Sequence, residues 1–185
     1  MAAEMRRRIA VTPEEPFDDE GRRINALLDS GAFTDVHLRH PHTSLRRMME
    51  IIAGVAPRHH GRLHLHGHFD LTNEFNLGGL HLNRRCPLPP EGYAGCLSAS
   101  CHTLGEIERC SRAGLSYVTL SPVFDSLSKA GYRAAFTPEE LRSLDGVSGI
   151  DVIALGGVTP ARLAELAAYN FAGYAMLTAA WHPTE

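Results

Sequence analysis

Asp151-Val152-Ile153-Ala154-Leu155-Gly156-Gly157-Val158-Thr159-Pro160 sets the architecture of the chain. Val152 to Leu155 form a short apolar run of the kind that makes a buried strand. Two glycines follow, and Thr159-Pro160 then opens a helix, with proline at the first helical position where its missing N–H costs nothing. Strand, glycine turn and helix together make the repeating unit of a parallel sheet. The bare N–H groups of Gly156 and Gly157 could meet a phosphate there, with the helix dipole adding to the attraction. The same pair also suits a plain tight turn.

Working outward, β-like runs recur at Arg8-Val11, Asp35-Arg39, Arg62-His66, Gly79-Leu82, Gly95-Ser100, Tyr117-Leu120, Asp151-Leu155 and Gly173-Leu177, eight in all. Helical patterns separate most of them. In Asp18-Ser30 the apolar residues Ile24, Leu27 and Leu28 recur at helical spacing, as do Leu45, Met48, Met49 and Ile52 in Ser44-Ala56. Thr103 with Glu106, and Thr137 with Glu140, have the spacing of a capping box. Eight such units predict an α/β fold, a (β/α)8 TIM barrel in one domain spanning 1–185. Phe69-Leu77 has room for about two helical turns, Asn83-Gly92 reads as loop, and the chain stops soon after the last strand, so its last helix is expected to be short or missing. A doubly wound open sheet is the structural alternative.

Composition narrows the function classes. The 185 residues are 44% apolar and 21% charged, enough for one core, and the formal charge of −3 provides no basic surface for nucleic acid. No apolar run nears the roughly 20 residues that span a bilayer. The basic N-terminus lacks a signal-peptide core, so a cytoplasmic protein with no membrane partner is expected. Cys86, Cys96, Cys101 and Cys110 follow no zinc spacing and read as reduced thiols. Association into a homodimer is common for barrels of this size.

Ligands of parallel barrels bind beyond the carboxyl ends of the strands. Gly173-Leu177 runs into Thr178-Ala179-Ala180, small residues that leave main chain open to an anion beside the Gly156-Gly157 turn. Strands seven and eight are a recurring source of phosphate sites. Lys129 lies in the polar loop Ser126-Leu-Ser-Lys-Ala-Gly131, suited to closing over an anion or simply solvated.

Eleven histidines are the unusual chemical feature. His37, His40 and His42, then His64, His66 and His68, then His81 crowd the expected strand ends. His64 and His66 share a strand face, and His81 on the next strand could face the same interior. That would permit a transition-metal site, an acid/base cluster, or hydrogen-bonded filling. His59-His60 read as a solvated turn. Arg84-Arg85 could clamp a pyrophosphate or form an exposed basic turn.

Ser98-Ala-Ser100-Cys101-His102-Thr103-Leu104, Ala113-Gly114-Leu-Ser-Tyr117-Val118, Ser121-Pro122-Val123-Phe124 with Lys129, and Ala154-Leu-Gly156-Gly157-Val-Thr-Pro160 follow one another along the chain. In this order and spacing they resemble the thiamin phosphate synthase and TenI family, closely from Gly79 to Thr178. The resemblance implies a transferase of thiamin biosynthesis, of the thiamin-phosphate pyrophosphorylase type. Such an enzyme joins a hydroxymethylpyrimidine pyrophosphate to a thiazole phosphate. It implies that Ser100 hydrogen-bonds the departing pyrophosphate or the pyrimidine, and that Lys129, with Arg39 at the end of strand two, acts on the pyrophosphate. Gly156, Gly157, Leu177 and Thr178 would hold the thiazole phosphate. Independently of the resemblance, His37, His66, His81 and His102 are expected to line the substrate pocket.

It also implies Mg²⁺, yet the family's acidic segments after strands three and four are replaced by His66-Gly67-His68 and Asn83-Arg84-Arg85-Cys86, so no metal is expected at the usual aspartate positions. The TenI branch isomerises a thiazole carboxylate phosphate, and here Pro122 stands where its catalytic histidine belongs. Altered synthase, thiazole tautomerase and a non-catalytic phosphate-ligand binding protein are the three functions this pattern admits.

Overall fold

The computed structural model describes residues 5–125 and 133–182. Its strands are β1 (Arg7–Val11), β2 (Asp35–Leu38), β3 (Leu63–Leu65), β4 (Gly79–Leu82), β5 (Cys96–Cys101), β6 (Tyr117–Leu120), β7 (Asp151–Ala154) and β8 (Gly173–Met176). They follow sequence order around a closed parallel barrel, which excludes the doubly wound sheet. The helices are α1 (Glu20–Asp29), α2 (Leu45–Ala53), α3 (Leu71–Phe75), α4 (Leu104–Arg112), α5 (Pro138–Arg142), α6 (Leu163–Leu166) and α7 (Thr178–Trp181). The single turn of α7 is the shortened last helix. Both capping boxes form, Thr103 with Glu106 and Thr137 with Glu140, each hydroxyl accepting from the backbone N–H three residues on. Among the described residues, no helix is long and apolar enough to cross a membrane.

Two compact units divide the chain, Ile9–Leu97 and Met1–Arg8 with Ser98–Glu185. In the first, β2 and β3 pair so that His37 is level with His64, and β3 and β4 so that Leu65 is level with Leu80. Val36, Leu38, Leu63, Leu65 and Leu80 are completely buried, as are Ile24 of α1 and Ile52 of α2. Side chains of this size stabilise by about 1.5–3 kcal/mol each on burial.

Polar fasteners complete this unit. Arg62 donates to the carbonyls of Thr34 at 2.6 Å, Phe33 at 2.7 Å and Leu28 at 3.2 Å, tying the start of β3 to the turn before β2. The expectation of a solvated His59-His60 turn is corrected: these residues lie in a 3-10 turn, Pro57–Arg62, and His59 is buried. His59 Nε2 meets Asp29 Oδ1 at 2.8 Å, and His60 spans the carbonyls of Val55 and Phe75. A chain reversal next to a strand leaves carbonyls that must be bonded, and the His60 ring lies between two of them.

In the second unit Ser98 pairs with Tyr117 and Ser100 with Thr119, while Thr119 is level with Ile153 and Ile153 with Gly173. Tyr117 is completely buried, with the Arg7 guanidinium 4.3 Å above its ring.

Candidate functional site

The turn after β7 is built for main chain. Gly156 and Gly157 have φ of +90° and +64°, a region L side chains rarely adopt. A Cβ on Gly156 would sit 2.7 Å from Pro122 Cα, and one on Gly157 would sit 2.8 Å from Phe124 Cβ, so glycine is required twice over. Phe124 N–H donates to the Gly156 carbonyl at 3.0 Å and Val123 N–H to the Leu155 carbonyl at 2.9 Å, which pins the loop after β6 against the turn. Among the described residues, no group accepts from the N–H of Gly156 or Gly157. Successive unbonded N–H groups of this kind form an anion cradle. After β8, Leu177 and Thr178 begin the single turn of α7, with the Thr178 side chain exposed. The first N–H groups of any helical turn have no partner within it.

The dipole contribution expected at Gly156-Gly157 is corrected. Only a 3-10 turn, Pro160–Arg162, and the four residues of α6 follow. A macrodipole sums over aligned peptides, so so short a run adds little. The N–H groups themselves are the attraction.

On β5 and β6, Ser100 is half-buried and level with Thr119, whose buried hydroxyl has no hydrogen-bond partner among the described residues. Thr119 was not singled out by sequence; its only signal is a hydroxyl inside an otherwise apolar strand. His102 is exposed and places Nδ1 2.9 Å from the Ser121 carbonyl and 3.4 Å from Ser121 Oγ. Lys129 lies outside the described residues.

In the other unit, the structure gathers three of the expected histidines. Donor atoms of His37, His66 and His81 all lie within 4.8 Å of one another. His37 Nδ1 is 2.9 Å from His66 Nε2, and the His66 and His81 rings stack at 4.2 Å. His64 stands beside them, its ring 5.1 Å from that of His37 and its Nε2 3.2 Å from Asp35 Oδ1. Burial pushes His81 down to about 3, with His64 adding to the shift. Burial likewise holds His66 well below its ordinary 6.5, followed by the charges of His81, Arg39, His64 and Arg85. Both rings are neutral at pH 7.

The remaining histidines of the strand ends do not join. His40 is buried and pairs through Nε2 with Glu20 Oε1 at 2.7 Å, His68 meets the Thr43 carbonyl at 2.9 Å, and His42 is exposed. Arg39 is half-buried and pairs with Glu14 at 2.9 Å, while Arg84 and Arg85 are exposed.

Asn83 fixes the end of β4. Its amide nitrogen donates to the His66 carbonyl at 2.8 Å and the His81 carbonyl at 3.1 Å, and its oxygen accepts from the N–H of Arg85 at 3.0 Å and of Cys86 at 3.3 Å. It thereby holds the two histidine-bearing strand ends together. A carboxylate has no hydrogen to donate and would face two carbonyl oxygens there.

A cavity of about 470 Å³, lined by Arg6, Ser116, Asp151 and Ala172 among others, opens at the N-terminal ends of β6 to β8. Parallel barrels place their chemistry at the opposite ends of the strands, so substrate is not assigned to it.

The chain is similar to known proteins. The family model described as thiamine monophosphate synthase matches residues 9–180. The putative thiamine-phosphate synthase of Geobacter sulfurreducens is 26% identical over 171 residues, covering 86% of this chain and 80% of that one. The thiamine biosynthesis bifunctional protein ThiM/ThiE of Symbiobacterium thermophilum is 28% identical over 167 residues, 84% of this chain, which spans 34% of that protein's length. The crystal structure of thiamine phosphate pyrophosphorylase from Bacteroides thetaiotaomicron superposes with a TM-score of 0.83 at 34% identity, over 97% of this chain and 86% of that one.

Proposed function

The chain belongs to the thiamine monophosphate synthase family, and from that premise we propose that it is a transferase coupling hydroxymethylpyrimidine pyrophosphate to thiazole phosphate. The observation that carries this reading is the Gly156-Gly157 turn, whose two N–H groups are unbonded among the described residues. They hold the thiazole phosphate, with the main chain at Leu177 and Thr178 adding donors. The carbon–oxygen bond from the pyrimidine methylene to pyrophosphate breaks, its electron pair leaves with pyrophosphate, and the carbon bonds to the thiazole. The catalytic task is to stabilise a strongly anionic leaving group. Arg39, freed from part of its pairing with Glu14, and Arg85 supply charge; Ser100 and Lys129 keep the roles implied by the family.

Relatives in this family use Mg²⁺, which takes carboxylate oxygens and water. The residues here do not fit it. The ends of β3 and β4 present His66, His68 and Asn83, and the one side-chain oxygen of Asn83 already accepts two backbone N–H groups. No step is therefore routed through that ion. Incubation with both substrates, followed by detection of thiamin phosphate, tests the reading. Product supports it; intact substrates in the presence of bound thiazole phosphate contradict it and leave a binding protein.

One observation favours a second reading, the tautomerase. Pro122 cannot transfer a proton, but His102 lies against the adjacent Ser121. Isomerisation of the thiazole carboxylate phosphate, lost in His102→Gln, would replace the synthase with that activity.

A further inference from the structure

We propose that His37, His66 and His81 form a three-histidine site for a borderline divalent transition metal, Zn²⁺ by its ligand preference. The inference does not depend on which reaction the barrel catalyses. Barrel interiors are ordinarily filled with branched aliphatic side chains, whereas here Val36, Leu38, Leu65 and Leu80 take the opposite face of these strands from the histidines. Placing three imidazoles together on β2, β4 and the end of β3 instead gives a compact set of nitrogen donors within 4.8 Å of one another.

The separations suit a metal. Two nitrogens bound tetrahedrally at roughly 2.05 Å stand about 3.3 Å apart. His37 Nδ1 and His66 Nε2 are at 2.9 Å, so the metal would take the place of the bridging proton, the donor ring shifting to its other tautomer so that both imidazoles bind neutral. A donor atom of His81 lies within 4.8 Å of both. Asn83 holds the backbone of His66 and His81 side by side, so two of the three ligands are positioned before any metal arrives.

The chemistry of the donors selects the metal. Neutral imidazoles suit Zn²⁺, Co²⁺, Ni²⁺ and Cu²⁺ and are poor ligands for Mg²⁺. Three protein ligands leave a fourth position open. Arg39 and Arg85 act electrostatically on His66, which favours an anionic oxygen in that position over a neutral one.

Protein stripped with chelator and titrated with Zn²⁺ in a calorimeter should take up one equivalent per chain, with no comparable heat from Mg²⁺. His66→Gln and His81→Gln, each checked for wild-type circular dichroism, should bind at least about 100-fold more weakly. Affinity unchanged in both variants, or no saturable uptake by the wild type, overturns the site. The optical spectrum of the Co²⁺-loaded wild type keeps the test decisive even if the variants fail to fold. Intense four-coordinate bands support the site, and a pale six-coordinate spectrum contradicts it.

Discussion

The β1–β4 unit and the β5–β8 unit repeat the same strand and helix plan, yet they offer ligands different things. At the ends of β7 and β8 the chain presents backbone: two glycines at positive φ, small residues, and N–H groups without partners among the described residues. At the ends of β2 to β4 it presents side chains, with His37, His66 and His81 in mutual contact and Arg39 and Arg85 acting on His66. A site made of main chain depends on backbone shape, which Gly156 and Gly157 set here. A site made of side chains depends on which residues stand there, and here they carry imidazole, amide and guanidinium groups.

The largest effect should come from damaging the backbone half. Gly157→Asp puts a Cβ 2.8 Å from Phe124 Cβ and a negative charge at the anion cradle. Affinity for thiazole phosphate should fall at least about 100-fold, equivalent to about 3 kcal/mol, as read by ligand-induced thermal shift. Gly157→Ala separates strain from charge. If both variants keep wild-type affinity, the cradle is assigned to the wrong turn.

Acid should strike the histidine half next. His81 titrates at about 3 in the folded chain against 6.5 unfolded, because burial disfavours the charged ring, and His66 shifts the same way. Protons therefore favour the unfolded state. The stability from His81 is complete well above pH 6.5 and declines as the pH falls towards about 3, at about 1.4 kcal/mol per pH unit, and His66 acts in the same direction. Urea unfolding should show roughly 2 kcal/mol lost through His81 alone between about pH 6.5 and 5, and His81→Leu should flatten that slope. A slope identical in the variant would mean that the buried ring is not what responds.

Asn83→Asp restores a family-like acid and sharpens the comparison. It should destabilise by about 1.5 kcal/mol, because two donated hydrogen bonds are replaced by oxygen facing oxygen. Equal stability, with new Mg²⁺ binding, would show that the loop accommodates the acid after all. The smallest effect belongs to Thr119→Val, which removes an unpartnered buried hydroxyl. Its stability should change by less than about 0.5 kcal/mol or rise, whereas a fall in turnover would mark Thr119 as a substrate contact.

Much of the frame was legible in the sequence. Apolar runs, glycine turns and capping boxes are local signals, and each expected strand is present with either end displaced by one residue at most. The glycine turn was legible for the same reason, since Gly156 and Gly157 are neighbours in the chain. What the sequence hid depends on distant partners. His59 and His60 read as solvated until Asp29, Val55 and Phe75 are brought to them by folding. His40 looked like a member of the cluster, but a buried bond to Glu20, 20 residues away, holds it apart. Asn83 gave no sign of clamping carbonyls on two strands.

Calorimetric titration of thiazole phosphate into the wild-type chain, run with and without Mg²⁺, tests the division between the two units most directly. The account predicts one site per chain with the same affinity in both runs, because the proposed cradle is backbone and His66, His68 and Asn83 do not suit Mg²⁺. Binding that appears only with Mg²⁺, or not at all, would contradict it.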